Sequence, residues 1–363
     1  MQYNWQQPDW PNFRYELAAV EGALLAFADK AGQVSGVLKS LPDTVAKEAV
    51  MDVMIAEAVK SSEIEGQFLS RKDVMSSIRN QLGLNTPPEG VHDKASQGAA
   101  ELMVDVRKTW DEPLTEKSLF AWHRMLFRGE SGKWVGKWRS HTEPMQVVSG
   151  AVGKQKVHYE APPSAQVPAE MKAFVRWFRE TRKTIPQAPV RSALTHLYFE
   201  SVHPFEDGNG RIGRALSEKA LSQGLGRPAL LSLSRTIEAN KSAYYSALET
   251  AQKSNDVTPW VNYFVQTVLA AQTEAEERVD FVLRKTRLFD RVREQLSDRQ
   301  LKVVRRMLDA GPEGFQGGMN AAKYMSLTKV SKATSTRDLQ ALVELGVFQS
   351  VGAGRTARYE LML

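Results

Sequence analysis

Residues 203–214 read His-Pro-Phe-Glu-Asp-Gly-Asn-Gly-Arg-Ile-Gly-Arg, and this run forces a break between two helices at one defined place in a chain of 363 residues. Upstream, Val190, Ala193, Leu194, Leu197, Tyr198 and Ser201 recur at helical spacing. Pro204 then disfavours helical dihedrals at His203. Gly208, Asn209 and Gly210 permit a tight turn, and Ile212, Ala215, Leu216 and Ala220 open a second helix. His203 is therefore expected at the end of one helix and the glycines at the start of the next.

That arrangement collects the parts of phosphoryl or nucleotidyl transfer. Free N–H groups at a helix start, with the positive end of its dipole, make an anion site that glycine lets a phosphate approach closely. Arg211 and Arg214 lie three apart and can hold phosphate oxygens in bidentate fashion. Asp207 is a hard oxygen ligand, sufficient for Mg²⁺ when substrate phosphates supply the rest. His203 suits a general base, since an ordinary imidazole titrates near neutrality. Gly208, Gly210 and Gly213 also spell the dinucleotide fingerprint, but a helix precedes them where that motif needs a strand. No cysteine, HExxH or paired-histidine spacing supports zinc.

The run matches the signature HPFx[DE]GNGRxxR of the Fic family at every defined position, so the chain resembles a Fic protein. The resemblance implies a mainly α fold and an enzyme that moves the AMP moiety of ATP onto a Ser, Thr or Tyr hydroxyl. It implies His203 as base, Asp207 as Mg²⁺ ligand, Gly208, Asn209 and Gly210 as phosphate anion hole, and Arg211 and Arg214 as holders of the β- and γ-phosphates. Relatives that use another nucleotide donor, or remove AMP, leave those alternatives open.

Earlier in the chain, Ala46, Val50, Val53, Met54 and Ala58 mark a helix with one buried stripe, ending Ser61-Ser62-Glu63-Ile64-Glu65-Gly66. Gly66 is a natural terminator. A carboxylate on the last turn faces the negative end of the dipole, so Glu65 calls for a cation elsewhere or for plain solvation. Ser61, Glu65 and Gly66 match the [ST]xxxE[GN] motif of Fic proteins inhibited from their N-terminal side. The resemblance implies that Glu65 pairs with Arg214 and displaces the ATP γ-phosphate.

Val147 and Val148, then Val157 and His158, flank a glycine-containing turn and read as a β-hairpin, which resembles the Fic flap that docks an extended target. Tyr244 and Tyr245 open a helical stretch in which Gln252 is expected on the face of Tyr245, two aromatic faces and an amide suited to adenine. Relatives usually have Asn at the amide position.

A helical N-terminal domain over 1–85, a catalytic core over 90–275 and a linking helix over 276–295 are expected, with a separate module over 296–363. In that module, helices over 299–308, 321–325 and 331–345 precede two short strands joined by a basic tip. The pattern resembles a winged helix, which enters a DNA major groove or serves as a protein-docking wing. The basic residues Lys332 and Arg337 favour DNA, and Asp338 and Glu344 dilute them. The net charge of +6 suits nucleotide or nucleic acid without deciding between them. No apolar run suggests a membrane span and no charged-then-apolar start suggests a signal peptide. The lack of cysteine fits a cytoplasmic location, and the resemblance implies a homodimer.

Overall fold

A computed structural model describes residues 2–150, 156–311, 314–352 and 357–363, so the expected flap turn and the basic tip at Arg355 lie outside the described residues. Fourteen α-helices and two small antiparallel sheets account for the regular structure among them. No described helix is long and apolar enough to cross a membrane. Contacts divide the chain into two units, residues 1–32 with 50–273, and residues 33–49 with 274–363.

The first unit contains the N-terminal part of α1 (Glu21–Ser40) and the C-terminal part of α2 (Asp43–Ile64), followed by α3 (Arg71–Gln81), α4 (Lys94–Lys108) and α5 (Glu116–Leu126). A hairpin of β1 (Gln146–Ser149) and β2 (Lys156–Glu160) comes next. Then follow α6 (Val167–Thr184), α7 (Ala188–Val202), α8 (Asn209–Leu225), α9 (Leu233–Ala239), α10 (Lys241–Ala251) and the start of α11 (Thr258–Val292). Side-chain caps explain several of these starts: Ser70, Asp93, Thr115 and Ser232 each accept a first-turn N–H.

Helix α7 is buried at all fifteen residues and forms the axis of this unit. Its partner α8 packs along it, with Leu197, Tyr198, Phe199, Ile212 and Leu216 fully inaccessible. Each such side chain contributes about 1.5–3 kcal/mol of burial. Trp260 at the start of α11 donates from Nε1 to Ala193 O at 2.8 Å and pins α11 onto the same axis. The core of α3–α8 thus holds the α7–α8 connection, the 203–214 run, in a rigid frame.

The expected flap forms: Val147 pairs with Tyr159 and Val148 with Val157. Tyr159 is buried, and its hydroxyl donates to Ser201 O at 2.6 Å, which fastens β2 to the end of α7.

The second unit takes the C-terminal half of α11, then α12 (Asp298–Leu308), α13 (Ala321–Thr328), α14 (Lys332–Glu344), β3 (Phe348–Val351) and β4 (Arg358–Leu361). Where a separate linking helix was expected over 276–295, α11 is continuous from Thr258 to Val292, because Val261, Val265, Val268, Ala271, Ala275 and Val279 keep one buried stripe with no breaker among them. Strands β3 and β4 pair Phe348 with Leu361, over a core of Val303, Met307, Tyr324, Leu339 and Leu342. Asp338, expected to dilute the basic surface of α14, is instead 8% exposed. It accepts from the Tyr324 hydroxyl at 2.8 Å and from Arg299 Nε at 3.2 Å.

Candidate functional site

Helix α7 ends at His203, which adopts a left-handed conformation (φ 47°, ψ 61°) as the cap. The strain of a non-glycine residue there is held by Arg139. Arg139 is 2% exposed, and its guanidinium donates to His203 O at 2.8 Å, Val202 O at 3.3 Å, Ser164 Oγ at 2.9 Å and Pro162 O. Burial pulls this guanidinium down to about 10, still cationic at neutral pH. The imidazole of His203 presents Nδ1 to Glu200 Oε2 at 3.6 Å, one turn back on α7. Glu200 is buried, which by itself raises a carboxyl, yet His203, His196 and Arg214 hold it below the usual range. At that distance Nδ1 is buried without a hydrogen-bond partner, and Glu200 faces the ring as a nearby charge.

The turn that follows is closed by Asn209, whose side chain accepts from Phe205 N and donates to Phe205 O, both at 2.9 Å. His123 supports it from below. Its ring stacks on Phe205 at 4.2 Å, and its Nδ1 accepts from Gly136 N at 2.8 Å, so Nε2 carries the hydrogen that goes to Asp207 O at 3.2 Å. Burial lowers this imidazole to about 4 and keeps it neutral. Gly208 has φ 82°, and a Cβ there would lie 2.9 Å from the Phe127 ring, so both backbone and space demand glycine.

Helix α8 starts at Asn209, and its first intrahelical bond is Ile212 N to Gly208 O at 3.1 Å. The N–H groups of Asn209, Gly210 and Arg211 are thus the first-turn donors that a helix cannot satisfy itself. Glu65 stands against this first turn: a Cβ on Gly210 would collide with Glu65 Oε1.

Helix α2 reaches that point with its end set by a paired C-cap, Gly66 N to Glu63 O at 3.0 Å and Gln67 N to Ser62 O at 2.9 Å, with Gly66 at φ 80°. The cation opposite is Arg214. Its Nη2 donates to Glu65 Oε1 at 2.9 Å and to Ser61 O at 2.8 Å, and its Nε to Ser61 Oγ at 3.0 Å. The Arg214 side chain is wholly inaccessible, while Glu65 keeps part of its surface. Burial alone would lower Arg214, but Glu65 outweighs it and holds the guanidinium well above its ordinary value. Arg211 turns to Gln67 Oε1 at 2.7 Å, with Nη2 3.5 Å from Asp207 Oδ2. Arg214 Nη1 and Arg211 Nε are buried without a hydrogen-bond partner among the described residues.

Asp207 is the most open member, with its side chain 64% exposed. No group of three or more His, Cys, Asp or Glu able to hold a metal occurs among the described residues.

The sequence expectation groups Tyr244, Tyr245 and Gln252 around an adenine. Tyr245 is 37% exposed and lies beside Glu65. Helix α10 ends at Ala251, so Gln252 is its cap, 4% exposed, and its amide donates to Glu200 O at 3.2 Å. Tyr244 is buried with its hydroxyl 2.7 Å from His196 Nε2.

On the flap, Val148 and Val157 are exposed. His158 Nδ1 lies 2.8 Å from Glu249 Oε2 on α10 and Nε2 lies 2.6 Å from Ser149 Oγ, a tie that sequence reasoning missed. Arg139, His123 and Glu200 were also missed. Of these only Glu200 carried a signal, an acid one helical turn before His203.

Residues 113–221 match the model of the Fic/DOC family, and residues 3–84 match a Domain of unknown function (DUF4172). A probable protein adenylyltransferase of Aquifex aeolicus is 35% identical over 95 residues, which cover 26% of this chain and 27% of that protein. The protein adenylyltransferase Fic of Aedes aegypti is 21% identical over 65% of this chain and 44% of its own length. The chain thus spans less than half the length of these relatives. The crystal structure of a Fic family protein from Desulfovibrio desulfuricans aligns with a TM-score of 0.54 at 21% identity, over 94% of this chain and 96% of that one, a likeness of fold.

Proposed function

Because the chain carries a Fic/DOC family domain at residues 113–221, we propose that it is a protein adenylyltransferase, moving AMP from ATP to a serine, threonine or tyrosine hydroxyl of a target protein and of itself. The observation that carries this reading is the opposition of His203 to the anion-binding start of α8. His203 Nε2 takes the proton of the attacking hydroxyl, and Glu200 steadies the imidazolium that results. The hydroxyl oxygen attacks the α-phosphorus, and pyrophosphate leaves against the α8 N-terminus and Arg211. Mg²⁺, when bound at Asp207, would offset charge on the polyphosphate. An extended target adds to the flap edge at Val147, Val148, Val157 and His158.

In this reading residues 1–85 carry the inhibitory helix, 90–275 the catalytic core, 276–295 a link and 296–363 an accessory module. Glu65 occupies the guanidinium fork that a γ-phosphate needs, so the resting enzyme is restrained. His203→Ala in a Glu65→Gly background tests the chemistry: incorporation of labelled AMP should fall at least a hundredfold, and retained transfer would remove His203 as the base.

A second role is favoured by the inward turn of Asp338. With that carboxylate internal, the exposed start of α14 presents Lys332, Thr336 and Arg337 without an acid among them, a face suited to duplex DNA. A mobility shift weakened by Lys332→Ala and Arg337→Ala, with a reduced salt slope, would support it. Sequence-indifferent binding unaffected by both changes would not.

A further inference from the structure

Helix α2 carries a buried carboxylate two turns before the partly exposed Glu65. Glu57 is 4% exposed and has no ion pair among the described residues. Its Oε2 accepts from Ser232 Oγ at 2.8 Å and from Ser234 N at 2.9 Å, and its Oε1 accepts from Ser234 Oγ. Ser232 is the N-cap of α9, so this acid sits at the positive end of a helix, where charge-assisted bonds substitute for the hydration it gives up.

Further along, Lys60 Nζ lies 3.3 Å from Glu238 Oε2, and Lys241 Nζ donates to Ile64 O. The contacts rise together, from 57 to 64 on α2 and from 232 to 241 on α9 and α10, so the two segments are held in one register. Tyr245, one turn beyond Lys241, lies beside Glu65 itself.

Register matters because Glu65 must meet a buried, immovable arginine. A slip of one residue moves a helix about 1.5 Å along its axis and turns it about 100°, which takes the carboxylate off Arg214. Of the three contacts only that of Glu57 is both buried and directional. The Lys60 pair is partly solvated, and an exposed pair of this kind contributes little.

We infer that Glu57, seated on the start of α9, is the positioning residue that sets the register of α2 and so keeps Glu65 on Arg214. The inference rests on the reading of Glu65 as the inhibitory group. It makes α9 and α10 the element whose displacement frees the enzyme.

The test compares Glu57→Ala in the parent chain and in a Glu65→Gly background, with two readouts. Labelled-ATP incorporation should rise at least fivefold in the parent background and change less than twofold where Glu65 is already gone, because positioning has no further effect once its object is removed. Binding of a non-hydrolysable ATP analogue, measured by calorimetry, should tighten at least fivefold in the parent background while ADP binding stays constant, since only the analogue brings a γ-phosphate to Arg214. A folded Glu57→Ala protein that labels and binds like its parent would overturn the inference, as would equal gains in both backgrounds. If Glu57→Ala fails to fold, the double change Ser232→Ala and Ser234→Ala removes two of the three bonds and leaves the one from Ser234 N, and is held to the same criteria. Should Glu65→Gly itself transfer no AMP, the adenylyltransferase reading fails, whereas the analogue-against-ADP comparison still decides the role of Glu57.

Discussion

Replacing Glu65 by glycine should release a restraint whose size follows from its surroundings. Glu65 Oε1 stands 2.9 Å from Arg214 Nη2, which places the charge centres about 4 Å apart. At the effective dielectric of a partly buried pair the attraction is about 4 kcal/mol. Arg214 is wholly inaccessible but Glu65 is not, and solvent on the carboxylate side reduces the figure to roughly 2 kcal/mol. A γ-phosphate must displace that carboxylate before the α-phosphorus can lie in line with His203. At about 1.4 kcal/mol per decade, removing the competitor should raise the initial rate of AMP incorporation roughly thirtyfold, with about a thousandfold as the ceiling. The assay is transfer from α-labelled ATP at fixed protein and magnesium, followed on gels over the linear phase. Glu65→Gln keeps a hydrogen-bond acceptor for Arg214 and loses the charge, so it should fall between parent and glycine. A rise below threefold in folded Glu65→Gly protein would refute the competition argument, and so would a gain in the glutamine variant that exceeds the glycine one.

Two further predictions concern the frame around the site. Arg139→Ala strands the carbonyls of His203, Val202 and Pro162 in the interior, and should cost about 3 kcal/mol or more. Thermal unfolding would then occur well below the parent temperature, and an unchanged midpoint would show that the left-handed cap at His203 needs no such support. Glu218 on α8 is pushed up to about 8 by burial and by Glu57, with Arg107 opposing. Its folded pKa exceeds the unfolded one, so its contribution is fully favourable below about 4.5 and is lost as pH rises through about 8. Glu218→Gln should therefore gain stability over the parent progressively between pH 5 and pH 8, then hold that gain at pH 9. Parallel unfolding curves at all three pH values would exclude the raised carboxyl.

What could be read from the chain alone was local. Pro204 after a helical stripe ends α7 at His203, Gly208 and Gly210 start α8, and Gly66 stops α2, because dihedral preference and hydrogen-bond supply are properties of a few consecutive residues. The hairpin at 146–160 and the helices of the C-terminal module follow the same logic of period and breaker. The buried bond of the Gln252 amide lay beyond that reach, since its acceptor, Glu200 O, stands 52 residues earlier in the chain.

Tertiary packing alone decided which distant residues complete the site. Arg139 comes 64 residues before the carbonyl it grips, and His123 comes 84 before the one it supports. Glu57 reaches a helix start 175 residues away. Asp338 looked like a surface acid until Tyr324 and Arg299 drew it inward. Backbone preferences act between neighbours and are written in their order. A buried polar group must instead find its partner wherever folding brings one, and the chain records the group without recording the meeting.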